Sequence, residues 1–336
     1  MYNTHEELNK FYENHVRLKE GRKTLEKHRD TNLERLRTGL KKLGYPNSFV
    51  PKDQGSFPMN TINKDPEKRY DIDEAIIFEK DNLPSDPAEA RKRIEAAMVA
   101  GGGNFRKPPK ALTNAVRVYY VEGHHVDLAV YRKNIDMFGN PIIEHSGLEW
   151  TKRNPVAITD WFNSAVKEKS PSKDSGASVE DSQLRRIVRW LKMFARSRSG
   201  WNMPCGLIIS VLAVECYVSN QYRDDSSLYD TIQSIRNRLR SNKEVDNPVD
   251  PSQTLTGREK DKTRMKNFEE NLECALGELA VLFKSNCSRS DALKAWNWVF
   301  NHSFWTEESQ NSSNDTNVKK NTPLIITDPP KQHSND

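Results

Sequence analysis

The segment Tyr70-Asp71-Ile72-Asp73-Glu74-Ala75-Ile76-Ile77-Phe78 constrains this chain more than any other. It alternates as a β-strand does, with successive side chains pointing to opposite faces. Ile72, Ile76 and Phe78 then share one face, and Asp71 and Asp73 share the other. A strand with one apolar face needs a hydrophobic layer behind it. Two neighbouring carboxylates on the opposite face need water or a cation. The first part of the chain therefore builds a sheet with a covered side and a charged side.

The surrounding residues supply that sheet. Ala115 to Val121 and Val126 to Tyr131 read as two more strands, joined through Glu122-Gly123-His124-His125 as a hairpin. Between them and the first strand, residues 86–100 read as a helix opened by Asp86-Pro87 and broken by Gly101-Gly102-Gly103. Upstream, Leu25, Leu33, Leu36, Leu40 and Leu43 predict one long amphipathic helix over residues 5–43, stopped by Gly44 and Pro46. After Pro155 the pattern turns helical. Helices are predicted at 158–168, 181–198, 205–222, 226–241, 259–285 and 289–303, with a polar loop at 170–182. Leu207 to Val218 is apolar nearly all round, as in a buried central helix. The expected fold is α+β. A mixed-sheet lobe with its N-terminal helix spans 1–165, a helical lobe spans 166–305, and a disordered polar tail spans 306–336.

Composition narrows the function classes. Among 336 residues, 35% are hydrophobic and 29% charged, and no run is long and apolar enough for a transmembrane helix. The first residues lack a basic-then-apolar leader pattern. Cys205, Cys216, Cys274 and Cys287 form no CxxC pair, so neither a zinc site nor a disulfide framework is expected, and a reducing cytoplasm fits. The net charge of +5 suits a small anionic ligand better than a long nucleic acid.

An ordered set of residues carries the chemistry. Gly55-Ser56 lies in a short loop, Asp71 and Asp73 follow on a strand, and Asp127 lies on a later strand in His125-Val126-Asp127-Leu128. Carboxylates packed together need a cation, and hard oxygen donors without His or Cys favour Mg2+ or Mn2+. Two such ions can clamp a triphosphate and activate an attacking hydroxyl. Gly55 lets backbone amides approach a phosphate, and Ser56 adds a hydroxyl donor. DxD or Gly-Ser alone is common; the ordered combination is not.

This set resembles the signature of polymerase-β-type nucleotidyltransferases. Gln54-Gly55-Ser56-Phe57, Tyr70-Asp71-Ile72-Asp73, His125-Val126-Asp127-Leu128, Asp160-Trp161-Phe162-Asn163 and the helix from Leu184 to Lys192 together resemble the bacterial CD-NTases. These are the cGAS/DncV-like nucleotidyltransferases of anti-phage CBASS operons. The resemblance covers about residues 50–300, and the long N-terminal helix is similar to that family's spine helix. It implies a bilobed fold, two divalent metal ions, nucleoside triphosphate substrates (ATP, GTP or pyrimidine nucleotides) and a cyclic dinucleotide or oligonucleotide product that acts on a separate effector.

Carried onto this sequence, the resemblance makes Asp71, Asp73 and Asp127 metal ligands, with Asp127 also helping to deprotonate the acceptor hydroxyl. Gln54, Gly55 and Ser56 hold the donor phosphates, and Arg117 stands on the strand where relatives often place a basic nucleotide-contacting residue. Lys192 matches a helical lysine that reaches the triphosphate; Arg185, Arg189, Lys192 and Arg196 form a basic stripe at helical spacing. In Pro204-Cys205-Gly206, Cys205 or the Gly206 amide stands where relatives have a phosphate-touching Ser. Asp250, in Asn247-Pro248-Val249-Asp250-Pro251, is placed near an acceptor base.

His124 and His125 are read first as turn-end histidines, with a metal or proton-transfer role as the alternative because alternation puts His125 on the face of Asp127; Tyr131 is read as either core or a base-stacking ring, and Trp296, Trp298 and Trp305 as core rather than a ligand platform. A monomer is expected. The family uses C-terminal tails for HORMA or conjugation partners, which leaves a regulatory protein open on the tail. The competing enzyme class is a linear nucleotidyltransferase that tails RNA or adenylylates a protein or small molecule. A non-enzymatic module with a degenerate site is the other alternative, and the intact carboxylates argue against it.

Overall fold

The computed structural model describes residues 1–19, 21–65, 70–171 and 181–310. The sheet lobe contains β1 (Val50–Gln54), β2 (Asp71–Glu79), β3 (Lys110–Ala111), β4 (Val116–Tyr119), β5 (His125–Ile135), β6 (Pro141–Ser146) and β7 (Trp150–Lys152). The main strand order is β1-β2-β5-β4-β3, and β6 pairs with β5 and β7. β2 and β5 run parallel, with Asp73 opposite Asp127, whereas β1 and β4 flank them antiparallel. β5 is long enough to pair with β4 through its first residues and with β6 through its last. The hairpin expected between the second and third strands is β4–β5.

Ile72, Ile76, Phe78, Val116, Val118, Val126, Leu128 and Val130 form the covered face. They pack against Leu25, Leu33, Leu36 and Leu40 of α2 (Gly21–Lys42) and Ala90, Ile94, Ala97 and Met98 of α3 (Pro87–Ala100). The two helices touch backbone to backbone. A Cβ on Gly39 would collide with the Ala97 carbonyl, and one on Gly101 with the Arg35 carbonyl.

Glu74 also points to the covered side, beside its register partner Asp53, and its Oε2 is buried with no hydrogen-bond partner among the described residues. Burial, then the bond with Asp53, push its carboxyl up from 4.5 to about 9. The folded chain therefore holds Glu74 protonated at neutral pH while the unfolded chain does not, so stability falls as pH rises through that interval. Glu74→Gln removes the linkage. In urea titrations it is expected to exceed the parent by about 1 kcal/mol or more at pH 8, with the gap closing toward pH 5. A gap that does not change with pH would contradict the assignment.

The helical lobe comprises α4 (Ala157–Lys169), α5 (Gln183–Arg196), α6 (Gly206–Cys216), α7 (Asp224–Ser241), α8 (Glu259–Leu279) and α9 (Arg289–Phe300), with a small β8 (Asp246–Asn247) and β9 (Asp250–Thr254) pair. Its core includes Trp190, Phe194, Leu212, Phe268, Trp296 and Trp305. α6 is the buried apolar helix, but it ends at Cys216 rather than continuing to 222. There the chain turns extended, and the Val218 amide donates to Thr231 Oγ1.

One prediction fails outright. Residues 5–43 are not a single helix. α1 (His5–Phe11) is followed by a π-helical turn over Tyr12–Val16, extended backbone at Arg17, and only then α2. Leu8, Phe11, Tyr12 and Val16 belong to the helical core, whereas the leucines of α2 belong to the sheet core. The break is held by distant partners. Arg17 bridges to Asn63 and pairs with Asp181, which also takes the Tyr12 hydroxyl at 2.8 Å and Arg189 at 2.9 Å.

The tail reading also changes at its start, because residues 303–310 are helical and Glu308 pairs with Arg289 at 2.9 Å. The rest of the tail, 311–336, and most of the polar loop, 172–180, lie outside the described residues. No helix among the described residues is long and apolar enough to cross a membrane.

Candidate active site

The strand registers line up one row of side chains across the open face of the sheet. Gln54 on β1, Asp73 on β2, Asp127 on β5 and Arg117 on β4 are successive neighbours. The next row toward the strand starts is Asp71, His125 and Tyr119. Period-two alternation puts both rows on the face opposite the α2–α3 core.

The outer carboxylates each have a basic partner. Arg117 grips both oxygens of Asp127, Nε to Oδ1 at 2.8 Å and Nη2 to Oδ2 at 2.6 Å. His125 Nε2 lies 2.6 Å from Asp71 Oδ1. Burial pulls the Asp71 carboxyl up, but the contact with His125 and the charge of Arg117 outweigh it and leave Asp71 below the usual carboxylate range. Asp73, between them, has no such partner among the described residues. Burial, then the charges of Asp127 and Asp71, push its carboxyl up to about 7.

Gly55 closes over this central carboxylate. Its φ is +72°, and a Cβ there would run into Asp73 Oδ2. The turn after β1 carries Ser56, whose carbonyl accepts the Thr61 amide at 2.9 Å. From the helical lobe, Lys192 Nζ donates to the Thr61 carbonyl at 2.7 Å. Burial, then Arg196 and Arg189, push the Lys192 amine down to about 7. α6 starts beside it, close enough that a Cβ on Gly206 would sit 2.9 Å from Lys192 Cε. Cys205, the residue before the helix, makes no capping bond.

These groups share a cleft of about 650 Å³ between the sheet and the helical lobe. Gln54, Gly55, Ser56, Asp71, Asp73, Asp127, Lys192 and Cys205 all line it. The N-terminus of α6 therefore opens onto the cleft, an arrangement that favours anions.

Three expectations need correction. Arg117 does not line the cleft; its guanidinium is spent on Asp127. Asp250 does not line it either, and its carboxylate takes Ser252 Oγ at 2.6 Å and Gln253 Nε2 at 2.8 Å. The basic stripe is not a single surface. Arg185 is buried on the Met59 carbonyl and Asn163, Arg189 is buried on Asp181 and Tyr12, and only Lys192 and Arg196 reach the cleft. His125 stands at the end of the hairpin turn, as expected, as the first residue of β5, and its Nε2 lies against Asp71. Of the two readings of Tyr131, core is the one that holds. It is fully buried and donates to Gln54 Oε1 at 3.0 Å, so it orients Gln54 rather than offering a stacking face.

Sequence reasoning missed Arg153, after β7. Arg153 and Arg196 line the cleft from its two walls, and neither guanidinium hydrogen-bonds or ion-pairs with another described residue. A lone loop arginine carries no periodic signal, so nothing in the sequence singled it out.

The donor set fits hard divalent cations: three carboxylates on one face, with the central one left uncompensated by the protein. Among the described residues, no His, Cys, Asp and Glu side chains are already gathered as a metal-ligand trio. The outer carboxylates are instead turned onto Arg117 and His125.

Residues 51–131, which hold all three carboxylates and Gly55-Ser56, match the family model for the nucleotidyltransferase domain of cyclic GMP-AMP synthase DncV-like proteins. That segment is thus similar to a DncV-like nucleotidyltransferase domain. The fold likeness extends well beyond that domain. Vibrio cholerae DncV, solved with GTP and 5MTHFGLU2, is similar at a TM-score of 0.67 and 15% identity, over 92% of this chain and 98% of that one. Bradyrhizobium diazoefficiens CdnG, solved with GTP, is similar at 0.66 and 16%, over 89% and 95%. E. coli MS115-1 CdnC, solved with HORMA-deltaN, is similar at 0.67 and 16%, over 89% and 98%. The DncV-like fold therefore includes both the sheet lobe and the helical lobe that face the cleft.

Proposed function

We propose that this DncV-like protein condenses nucleoside triphosphates into a cyclic dinucleotide or a larger cyclic oligonucleotide. The observation that carries the reading is the row Gln54, Asp73, Asp127 on the floor of a cleft whose walls bring Lys192, Arg196 and Arg153 toward it. That arrangement suits a compact polyanion next to a hydroxyl that must lose a proton. The ligands of the similar structures support it: DncV and CdnG were solved with GTP, and CdnC with ATP.

In this reading Asp71, Asp73 and Asp127 hold Mg2+ or Mn2+, two ions in all. When bound, these supply charge compensation for the attacking and leaving oxygens. Gln54, Ser56 and the backbone at Gly55 hold the donor phosphates. Lys192, Arg196 and the N-terminus of α6, with Cys205 and Gly206, take the charge of the leaving pyrophosphate. Asp127 accepts the proton of the acceptor hydroxyl as that oxygen bonds to the α-phosphorus and the bond to pyrophosphate breaks. A second transfer on the linear intermediate closes the ring.

The product acts on a separate effector in anti-phage CBASS signalling, in the cytoplasm, and the enzyme works as a monomer. A regulatory protein partner is part of the same reading, in line with the CdnC–HORMA structure.

The test is pyrophosphate release from ATP, GTP, CTP and UTP, singly and in pairs, with Mg2+ or Mn2+ and with EDTA. Metal-dependent release supports nucleotidyl transfer. No release with any pair would overturn it, and release that depends on added RNA or protein would favour the linear alternative.

A further inference from the structure

In this conformation two of the three carboxylates already face basic side chains. Asp127 has both oxygens in the Arg117 fork, and Asp71 has one oxygen against His125. A divalent ion at Asp127 would meet the Arg117 charge at close range and share or displace its hydrogen bonds. The Arg117 side chain is only partly exposed, and the β4–β5 register fixes its strand position opposite Asp127. It also lies outside the cleft lining, so its partner here is the carboxylate and not the space a nucleotide would fill. Bidentate arginine–carboxylate pairs are among the stronger charge-assisted contacts, and this one is partly shielded from water.

We propose that Arg117 is a built-in counter-ion for Asp127 that keeps the cluster closed to free divalent cations, so that metal loads together with the triphosphate rather than before it. This rests on the metal-dependent reading of the site. Physically, the guanidinium charge opposes a dication at Asp127, and its fork must open before the carboxylate can turn to a metal. A triphosphate tips the balance because it brings several negative charges and its own oxygens to the same place. On the neighbouring row His125 Nε2 lies 2.6 Å from Asp71 Oδ1, a single close contact rather than a fork. Metal bound without nucleotide is thereby disfavoured.

The experiment measures Mn2+ binding to the full chain, by the loss of the free-ion paramagnetic resonance signal beyond that in protein-free samples of the same composition, without nucleotide and with a non-hydrolysable ATP analogue. Arg117→Gln is expected to bind Mn2+ about tenfold more tightly than the parent without nucleotide, and the advantage of adding the analogue should shrink by a similar factor. Arg117→Lys keeps the charge but loses the fork and should fall between the two; it serves if the Gln variant does not fold. Equal or weaker nucleotide-free affinity in both variants overturns the counter-ion role, since an arginine that only braces Asp127 would lose affinity when removed. If the parent and both variants bind no Mn2+ even with the analogue, the metal-dependent reading itself fails.

Discussion

Asp73→Asn is expected to lower nucleotidyl transfer by at least about 10³-fold while leaving the protein folded. The substitution keeps the size of the side chain and removes one charge. Asp73 sits between Asp71 and Asp127 and, unlike them, has no arginine or histidine partner among the described residues, so its charge is the one left for a cation. Its carboxyl already stands at about 7 because of burial and its two acidic neighbours, so the folded chain holds this charge at a cost as pH rises above the ordinary carboxylate range. Removing it should therefore raise thermal stability by an amount that grows as pH rises from about 4 to 8. Lost activity with unchanged or increased stability separates a site residue from a structural one. Pyrophosphate release close to the parental rate would contradict the assignment.

Gly55→Ala is the second large effect. Alanine would place its Cβ against Asp73 Oδ2 and would also have to adopt a φ of +72°. The two costs can be separated, because Gly44 has the same φ of +72° and a Cβ there would meet nothing within 4 Å. Gly44→Ala is expected to cost about 1 kcal/mol of stability and to leave turnover alone, since only the backbone strain is incurred. Gly55→Ala should incur that strain and also displace the carboxylate and the phosphate-facing amides, cutting turnover by about 10²-fold. Equal turnover in the two variants would mean that the turn after β1 does not position Asp73.

Much of the site was legible because strand alternation is a strict rule. The Asp71/Asp73 face followed from residues 70–78 alone, and Asp127 from the hairpin that follows. That hairpin also contained information left unused. A turn centred on Glu122-Gly123 pairs Tyr119 with His125 and Arg117 with Asp127, so the fork on Asp127 was implied by the register. Other features were set by distant partners that local pattern cannot reveal. The helix over 5–43 breaks because Arg17 meets Asn63 and Asp181. The stripe on α5 obeys helical spacing, but spacing says nothing about what covers Arg185 and Arg189. Arg153 lies in a loop, where only the folded structure brings it to the cleft.

Cyclisation is tested most directly by the product itself. The purified chain is incubated with α-labelled ATP, GTP, CTP and UTP in turn, each with the other three unlabelled, in Mg2+ or Mn2+, and then treated with phosphatase. The expected result is a metal-dependent labelled product that phosphatase does not degrade, as a ring without terminal phosphates requires, and its absence in Asp73→Asn. Label found only in phosphatase-sensitive linear species, or in no product at all under either metal, would contradict a cyclic product.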